Sequence, residues 1–214
     1  MISVLSFTFN PFQENTYLLF NEQGSAVIVD PGCWNKPEQD QLLSAVTSRN
    51  LTVKRLINTH CHIDHVLGNA WCHRTFGVLP EYHTLESAML QRVVQSAHVY
   101  GFQGYDESPE AVSFIREGEE LVLDDDRLKV LFVPGHSPGH VALYCESQGF
   151  VIGGDVLFCG SIGRTDLPGG NFQTLERSIR TQLYVLPENT VVYCGHGPET
   201  TIGEERRYNP FVTA

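Results

Sequence analysis

Between Asn58 and Gly68 the chain reads NTHCHIDHVLG, which places His60, His62, Asp64 and His65 within six residues. The run follows directly on VKRLINT, whose apolar residues read as a buried β-strand. No ordinary packing role calls for three imidazoles and a carboxylate at a strand end. Burying such groups together without a counter-charge costs several kcal/mol for each unpaired charge. The chain must therefore fold so that this strand end delivers its side chains to a shared ligand.

Three other segments repeat the feature. VPGHSPGH carries His136, IGGDV carries Asp155 and YCGHGP carries His196, each where a predicted strand gives way to glycine or a turn. Loops at one end of a sheet are where a rigid scaffold can aim ligand groups. Gly135, Gly153, Gly154, Gly195 and Gly197 let the backbone turn tightly and approach a ligand closely. The pooled set is five imidazoles and two carboxylates. It suits Zn²⁺, with Fe or Mn as alternatives, and not the oxygen-only preference of Ca²⁺ or Mg²⁺. The number of groups exceeds one tetrahedral ion and fits two divalent metals that share a bridge. His73, His83 and His98 read as ordinary polar residues, and His140, beyond the glycine turn, is placed with them.

Asp30 and Thr59, at neighbouring strand ends, are candidates to orient ligand imidazoles; Asp30 reads equally well as a turn residue before Pro31-Gly32. Arg164 in GRTD would pair with a substrate carboxylate or with Asp166. Arg206 and Arg207 fit the solvated end of a helix better than an anion contact.

The spacing predicts strands in the first twenty residues, at AVIVD and at VKRLINT, and helices over Pro37 to Asn50, around Val66–Trp71 and over Thr84 to Val99. GFQGYDESPE reads as a long loop. A hairpin at LVLDDDRLKVLFV, strands at VALYCE, FVIGGD and TVVYCGH, and a helix from Asn171 to Tyr184 follow. Helices thus separate two groups of strands, which suits two packed sheets with helices outside, a four-layer α/β arrangement. A chain of 214 residues, 42% hydrophobic and 18% charged, suits one compact domain or at most two small ones.

The net charge of −11, from 14 basic and 25 acidic residues, argues against a nucleic-acid backbone as partner. No stretch approaches the length of a membrane span, and the first residues lack the basic region of a signal peptide. The six cysteines form no CxxC pair. They are expected to be reduced thiols in the cytoplasm, each behaving as a small buried hydrophobe.

At these residues the sequence resembles the metallo-β-lactamase fold superfamily, over nearly the whole chain, from VIVDPG through THCHIDH, PGHSPGH and GGDVLF to GHGPETTIGEE. Within it, GSIGRTDLPGG and the tail GHGPETTIGEERRYNPF look like the compact glyoxalase II-like (hydroxyacylglutathione hydrolase-like) hydrolases. The resemblance implies an αββα sandwich formed by a single hydrolase domain over 1–214, with a dinuclear site at one edge. By motif, His60, His62 and His136 would hold the first metal, Asp64, His65 and His196 the second, and Asp155 would bridge them. It further implies hydrolysis of a small-molecule thioester, S-lactoylglutathione or a related acyl thiol, by metal-bound hydroxide, with Asp64 and Asp155 as the catalytic carboxylates and Arg164 on the substrate.

The pattern departs from that of other members. True β-lactamases commonly carry cysteine or serine where Asp155 stands, and flavodiiron proteins carry glutamate where this chain keeps His62. Nucleic-acid-cleaving members have large extra modules. Longer glyoxalase II enzymes have a helical C-terminal domain that binds glutathione, whereas eighteen residues follow His196 here. A mononuclear-iron persulfide dioxygenase, which shares the HxHxDH run and a GRTD segment, is the alternative activity. A metal-binding protein without catalysis is the third reading.

Overall fold

The computed structural model describes residues 1–213. The chain divides into two compact units, Met1–Ile115 with Val122–Asp126, and Arg116–Leu121 with the chain from Arg127 on.

The first unit is built on a six-stranded sheet in sequential order: β1 (Ser3–Phe9), β2 (Glu14–Phe20), β3 (Ser25–Val29), β4 (Thr52–Ile57), β5 (Pro80–His83) and β6 (Phe114–Ile115). The antiparallel hairpin of β1 and β2 turns at Asn10 and Gln13, both in the left-handed region (φ 51° and 57°). From β3 onward the strands run parallel. Parallel strands need crossovers, and helices α1 (Lys36–Thr47), α2 (Ile63–Val66), α3 (Asn69–Phe76) and α4 (Ser87–Ser96) supply them. Helix α1 starts at a capping box: the Asn35 side chain accepts from Glu38 N, and the Glu38 carboxylate accepts from Asn35 N. Its Leu42, Ala45 and Val46 pack on Leu18, Ala26, Ile28 and Leu56 of the sheet. Fully burying each larger aliphatic is worth roughly 1.5–3 kcal/mol, and this fixes the helix on the sheet.

The second unit holds most of a second six-stranded sheet, of order β14 (Thr200–Thr201), β13 (Val191–Cys194), β10 (Phe150–Gly154), β9 (Val141–Cys145), β8 (Asp126–Phe132) and β7 (Glu120–Leu123). A two-stranded ribbon of β11 (Leu157–Phe158) and β12 (Ser161–Ile162) stands beside it in the chain. Helix α5 (Phe172–Ser178) runs on into a π-helical turn over Ile179–Leu183, and α6 (Ile202–Tyr208) closes the unit. Leu175, Ile179 and Leu183 pack on Tyr144, Val151, Val192 and Cys194. Each unit thus joins helices to a sheet. Among the described residues no helix is long and apolar enough to cross a membrane.

Several local expectations change. The helix expected around Val66–Trp71 is two helices, α2 and α3, broken at Leu67-Gly68. Gly68 N donates to Pro31 O at 2.7 Å, and a Cβ at Gly68 would lie 2.5 Å from Cys33 Sγ. That close approach bends the chain, and α3 then ends at Gly77, left-handed at φ 74°. The helix expected from Thr84 begins as a 3₁₀ turn and ends at Ser96. The helix from Asn171 keeps its cap, Asn171 Oδ1 accepting from Thr174 N, but its second half is π-helical. Five cysteines are buried as expected, whereas Cys159 is exposed in the turn between β11 and β12.

Candidate metal centre

In the first unit β4 ends at Ile57 and hands the chain to Asn58-Thr59-His60, all fully buried. His62 is the N-cap residue of α2, with extended backbone (φ −71°, ψ 154°). The short helix behind it puts Asp64 and His65 on its first turn. His60 thereby meets His62 edge-on, at 4.7 Å between ring centroids and 90° between planes, and His65 at 4.2 Å. Cys61, between the two, faces the other way into the cluster of Val66, Leu67, Tyr82 and Leu90. Burial there pushes its thiol well above the usual thiol range.

Asp30 sits behind these imidazoles, 1% exposed and left-handed at φ 50°. Its Oδ1 accepts from Thr59 N at 2.7 Å and its Oδ2 from Thr59 Oγ1 at 2.6 Å. Oδ2 also lies 3.1 Å from His65 Nδ1. Thr59 Oγ1, its hydrogen given to Asp30, lies 3.1 Å from His60 Nδ1 and accepts from it. One carboxylate thus reaches two imidazoles, one directly and one through a hydroxyl, and turns both Nε2 atoms outward. Asp30 is both the turn residue and the orienting residue. Asn10 Nδ2 donates to the carbonyl oxygens of Gly32 and Asp64, each at 3.1 Å, which pins the hairpin turn to the ligand loop.

A residue with no signal in the sequence, Glu14, is also here. It is fully buried, with Oε1 3.9 Å from His65 Nδ1. Burial drives its carboxyl well above the usual range, Asp30 and Asp64 add to the rise, and His65 opposes it. In an alternating strand pattern such a residue reads as solvent-facing.

In the second unit His136 and Asp155 are 2% and 7% exposed, and the His196 side chain is 27% exposed. His136 Nδ1 donates to Arg164 O at 2.8 Å, so its Nε2 points the other way. Asp155 Oδ2 lies 3.5 Å from His136 Nε2 and 3.5 Å from His196 Nε2. Phe158 meets the His196 ring edge-on at 6.1 Å. Two glycines make room for this triangle. A Cβ at Gly195 would fall 2.1 Å from Asp155 Oδ1, and one at Gly163 would fall 1.9 Å from Asp155 O and 3.1 Å from His136 Nδ1.

His140 is buried and accepts from Asp155 N through Nε2 at 3.0 Å. The group that its Nε2 meets is the backbone of Asp155. Arg164 makes a bidentate pair with Asp166, at 2.7 and 2.8 Å, with its side chain 62% exposed. Hydrogen bonding from Arg164 holds Asp166 down at about 2. Arg207 bonds Glu188, at the solvated end of α6.

The donor geometry fits divalent metal. Two ligand atoms on one ion, with bonds of ~2.1 Å at a tetrahedral angle, stand about 3.4 Å apart. The two 3.5 Å separations about Asp155, and the 3.7 Å between His65 Nε2 and Asp64 Oδ2, match that spacing and are too long for hydrogen bonds. The donors are imidazole nitrogen and carboxylate oxygen, the set that borderline divalent ions prefer.

The family model of the metallo-β-lactamase superfamily matches residues 9–196, and the chain belongs to that superfamily. Hydroxyacylglutathione hydrolase GloC of Haemophilus influenzae is 36% identical over 204 residues, covering 95% of this chain and 94% of that protein. The B3 metallo-β-lactamase BLEG-1 superposes with a TM-score of 0.90 at 34% identity, covering 99% of this chain and all of the other. TTHA1623 in a di-iron-bound form gives 0.85 at 37% identity, covering 97% of this chain and 100% of the other. The protein has the metallo-β-lactamase fold and is a metallo-hydrolase that binds divalent metal.

Proposed function

We propose that the protein is a dinuclear metal-dependent thioester hydrolase acting on S-lactoylglutathione or a related acyl thiol. The observation that carries this reading is Asp155 Oδ2 standing at 3.5 Å from both His136 Nε2 and His196 Nε2. A carboxylate oxygen equidistant from two imidazoles suits a bridge between two ions, one held by each histidine. His60, His62 and His136 would hold the first ion and Asp64, His65 and His196 the second, with the chain reading as one hydrolase domain. The name of the GloC relative supports the substrate class, and the di-iron form of TTHA1623 supports two metals.

The metals, when bound, supply Lewis acidity and a water whose pKa is lowered towards ~7. The chain's own residues do the rest. Asp30, directly and through Thr59, holds His65 and His60 with Nε2 forward, and Arg164 O does the same for His136. His140 fixes the Asp155 backbone, so that its carboxylate keeps its place between the two imidazoles. Asp64 and Asp155 accept hydrogen bonds from the attacking water and orient it towards the thioester carbonyl. The carbon–sulfur bond breaks, the acyl group leaves as a carboxylate, and the thiolate takes up a proton from solvent. Arg164, held by Asp166, presents its remaining N–H groups to a substrate carboxylate. We place the enzyme in the cytoplasm, where its six free thiols stay reduced.

The test is release of free thiol from a panel of acyl thioesters by zinc- or iron-loaded protein. Turnover of S-lactoylglutathione or another acyl thiol is expected, with loss on chelation. Silence across the panel, together with oxygen uptake on glutathione persulfide, would put the dioxygenase in its place.

A further inference from the structure

Glu14 opens β2 behind the candidate ligand His65, with its side chain wholly buried. Burying a carboxyl costs several kcal/mol unless its surroundings compensate. A leucine would fill the same space at no such cost. The surroundings here are specific. Glu14 Oε2 accepts from Thr16 Oγ1 at 3.0 Å, and Thr16 Oγ1 accepts from Gly32 N at 2.8 Å. Glu14 Oε1 has no hydrogen-bond partner and lies 3.9 Å from His65 Nδ1, the nitrogen that Asp30 Oδ2 approaches to 3.1 Å. Room for the carboxyl is made at Gly32, where a Cβ would fall 2.0 Å from Glu14 Oε2 and 2.7 Å from Asp64 O. The volume a side chain at position 32 would fill is taken by the end of Glu14.

We propose that Glu14 is a positioning residue for the second metal: through Thr16 and Gly32 it sets the turn that carries Asp30, and with Asp30 it backs His65 Nδ1 so that Nε2 faces the ion. This rests on the two-metal reading above. Thr16 and Gly32 form the lever of the arrangement. If the turn at Gly32 shifts, Asp30 Oδ2 loses its approach to His65 Nδ1, while its two hydrogen bonds to Thr59, at 2.7 and 2.6 Å, keep the branch to His60 in place. The defect therefore falls on the second ion more than on the first.

The experiment is titration of metal-free protein with zinc alone against a chromogenic chelator, which reads each ion's affinity without any turnover. The parent and E14Q are expected to take two ions with affinities within about 3-fold of each other, because glutamine keeps an acceptor for Thr16 Oγ1 and the same volume. E14L and T16V are expected to hold the first ion normally and the second at least about 10-fold more weakly, the lower end of the cost of losing an outer-shell partner. The melting temperature of the metal-free E14L protein is expected not to fall. If E14L does not fold, T16V carries the test alone. Parent-like binding of both ions by T16V overturns the proposal, and so does equal weakening of both ions. A parent that takes a single ion overturns the two-metal reading and this inference with it, whereas two ions in the parent and two ions bound at parental affinity by T16V overturn this inference alone.

Discussion

Replacing Asp30 with asparagine changes one atom and reverses a whole chain of hydrogen bonds. The carboxylate accepts from Thr59 N and Thr59 Oγ1, and the hydroxyl in turn accepts from His60 Nδ1. With the amide oxygen kept on Thr59 N, the new NH₂ group faces Thr59 Oγ1 and His65 Nδ1, which lay 2.6 and 3.1 Å from Asp30 Oδ2. The hydroxyl must then accept from the amide, and its hydrogen is free to point at His60. Both imidazoles are driven to the tautomer with Nε2 protonated, which cannot hold a metal. The loss of a charge-assisted bond alone is about 1.5–3 kcal/mol, and disturbing one orienting partner costs roughly 10- to 100-fold in metal affinity or activity. With two ligands affected, D30N is expected to lose at least about 100-fold in kcat/KM and to load less than the full metal complement. Metal content after dialysis and thiol release are the two measurements. T59V separates the branches: it cuts only the link to His60 and should weaken one ion alone. D30N that retains parental metal content and activity within about 3-fold would refute the shared-carboxylate reasoning.

H65A should remove one metal and cut thioester hydrolysis by at least about 100-fold, at or beyond the cost of losing an outer-shell partner; full retention of one iron and parental oxygen uptake on glutathione persulfide would contradict the dinuclear reading. G195A brings a methyl group 2.1 Å from Asp155 Oδ1, so activity should drop at least about 10-fold with metal content reduced, and a parent-like variant would show that Asp155 has slack. Native protein should take up one equivalent of iodoacetamide, at the exposed Cys159, because the other five thiols are buried and burial raises Cys194 to about 12; intact-mass measurement of the parent beside C159S checks this.

The candidate ligands were legible because each stands at a strand exit next to a glycine or a turn, where a polar group has no packing reason to be. The strand β10, which leads into Asp155, was legible for the opposite reason: like β3 and β9 it is an apolar run buried on both faces. Less visible were the short strands β5, β6, β11, β12 and β14, of two to four residues, which have no room for a period. Glu14 was invisible because what keeps a carboxyl inside is the missing side chain at Gly32, eighteen positions away. His140 reads in the sequence as an ordinary polar residue, and the contact of its Nε2 with the backbone of Asp155 leaves no mark on composition or spacing. The break between α2 and α3 came from the contact of Gly68 with Pro31 and Cys33, again a tertiary cause.

The direction of Cys61 has a bearing on metal choice in the living cell. It stands between two candidate ligand histidines, and a half-turn of backbone would add sulfur to the centre. Its burial away from them, with the thiol held neutral, keeps the coordination to nitrogen and oxygen. Soft ions such as Cu(I) or Cd²⁺ then gain no thiolate to trap them, and affinities among zinc, iron and manganese follow the general order of the divalent series with no strong veto from the protein. Metal occupancy is in that case inherited from the supply of metal. Enzyme recovered from an iron-rich and from a zinc-rich culture should differ in its metal while sharing one fold, so a specific activity has meaning only beside the history of the cells that made it.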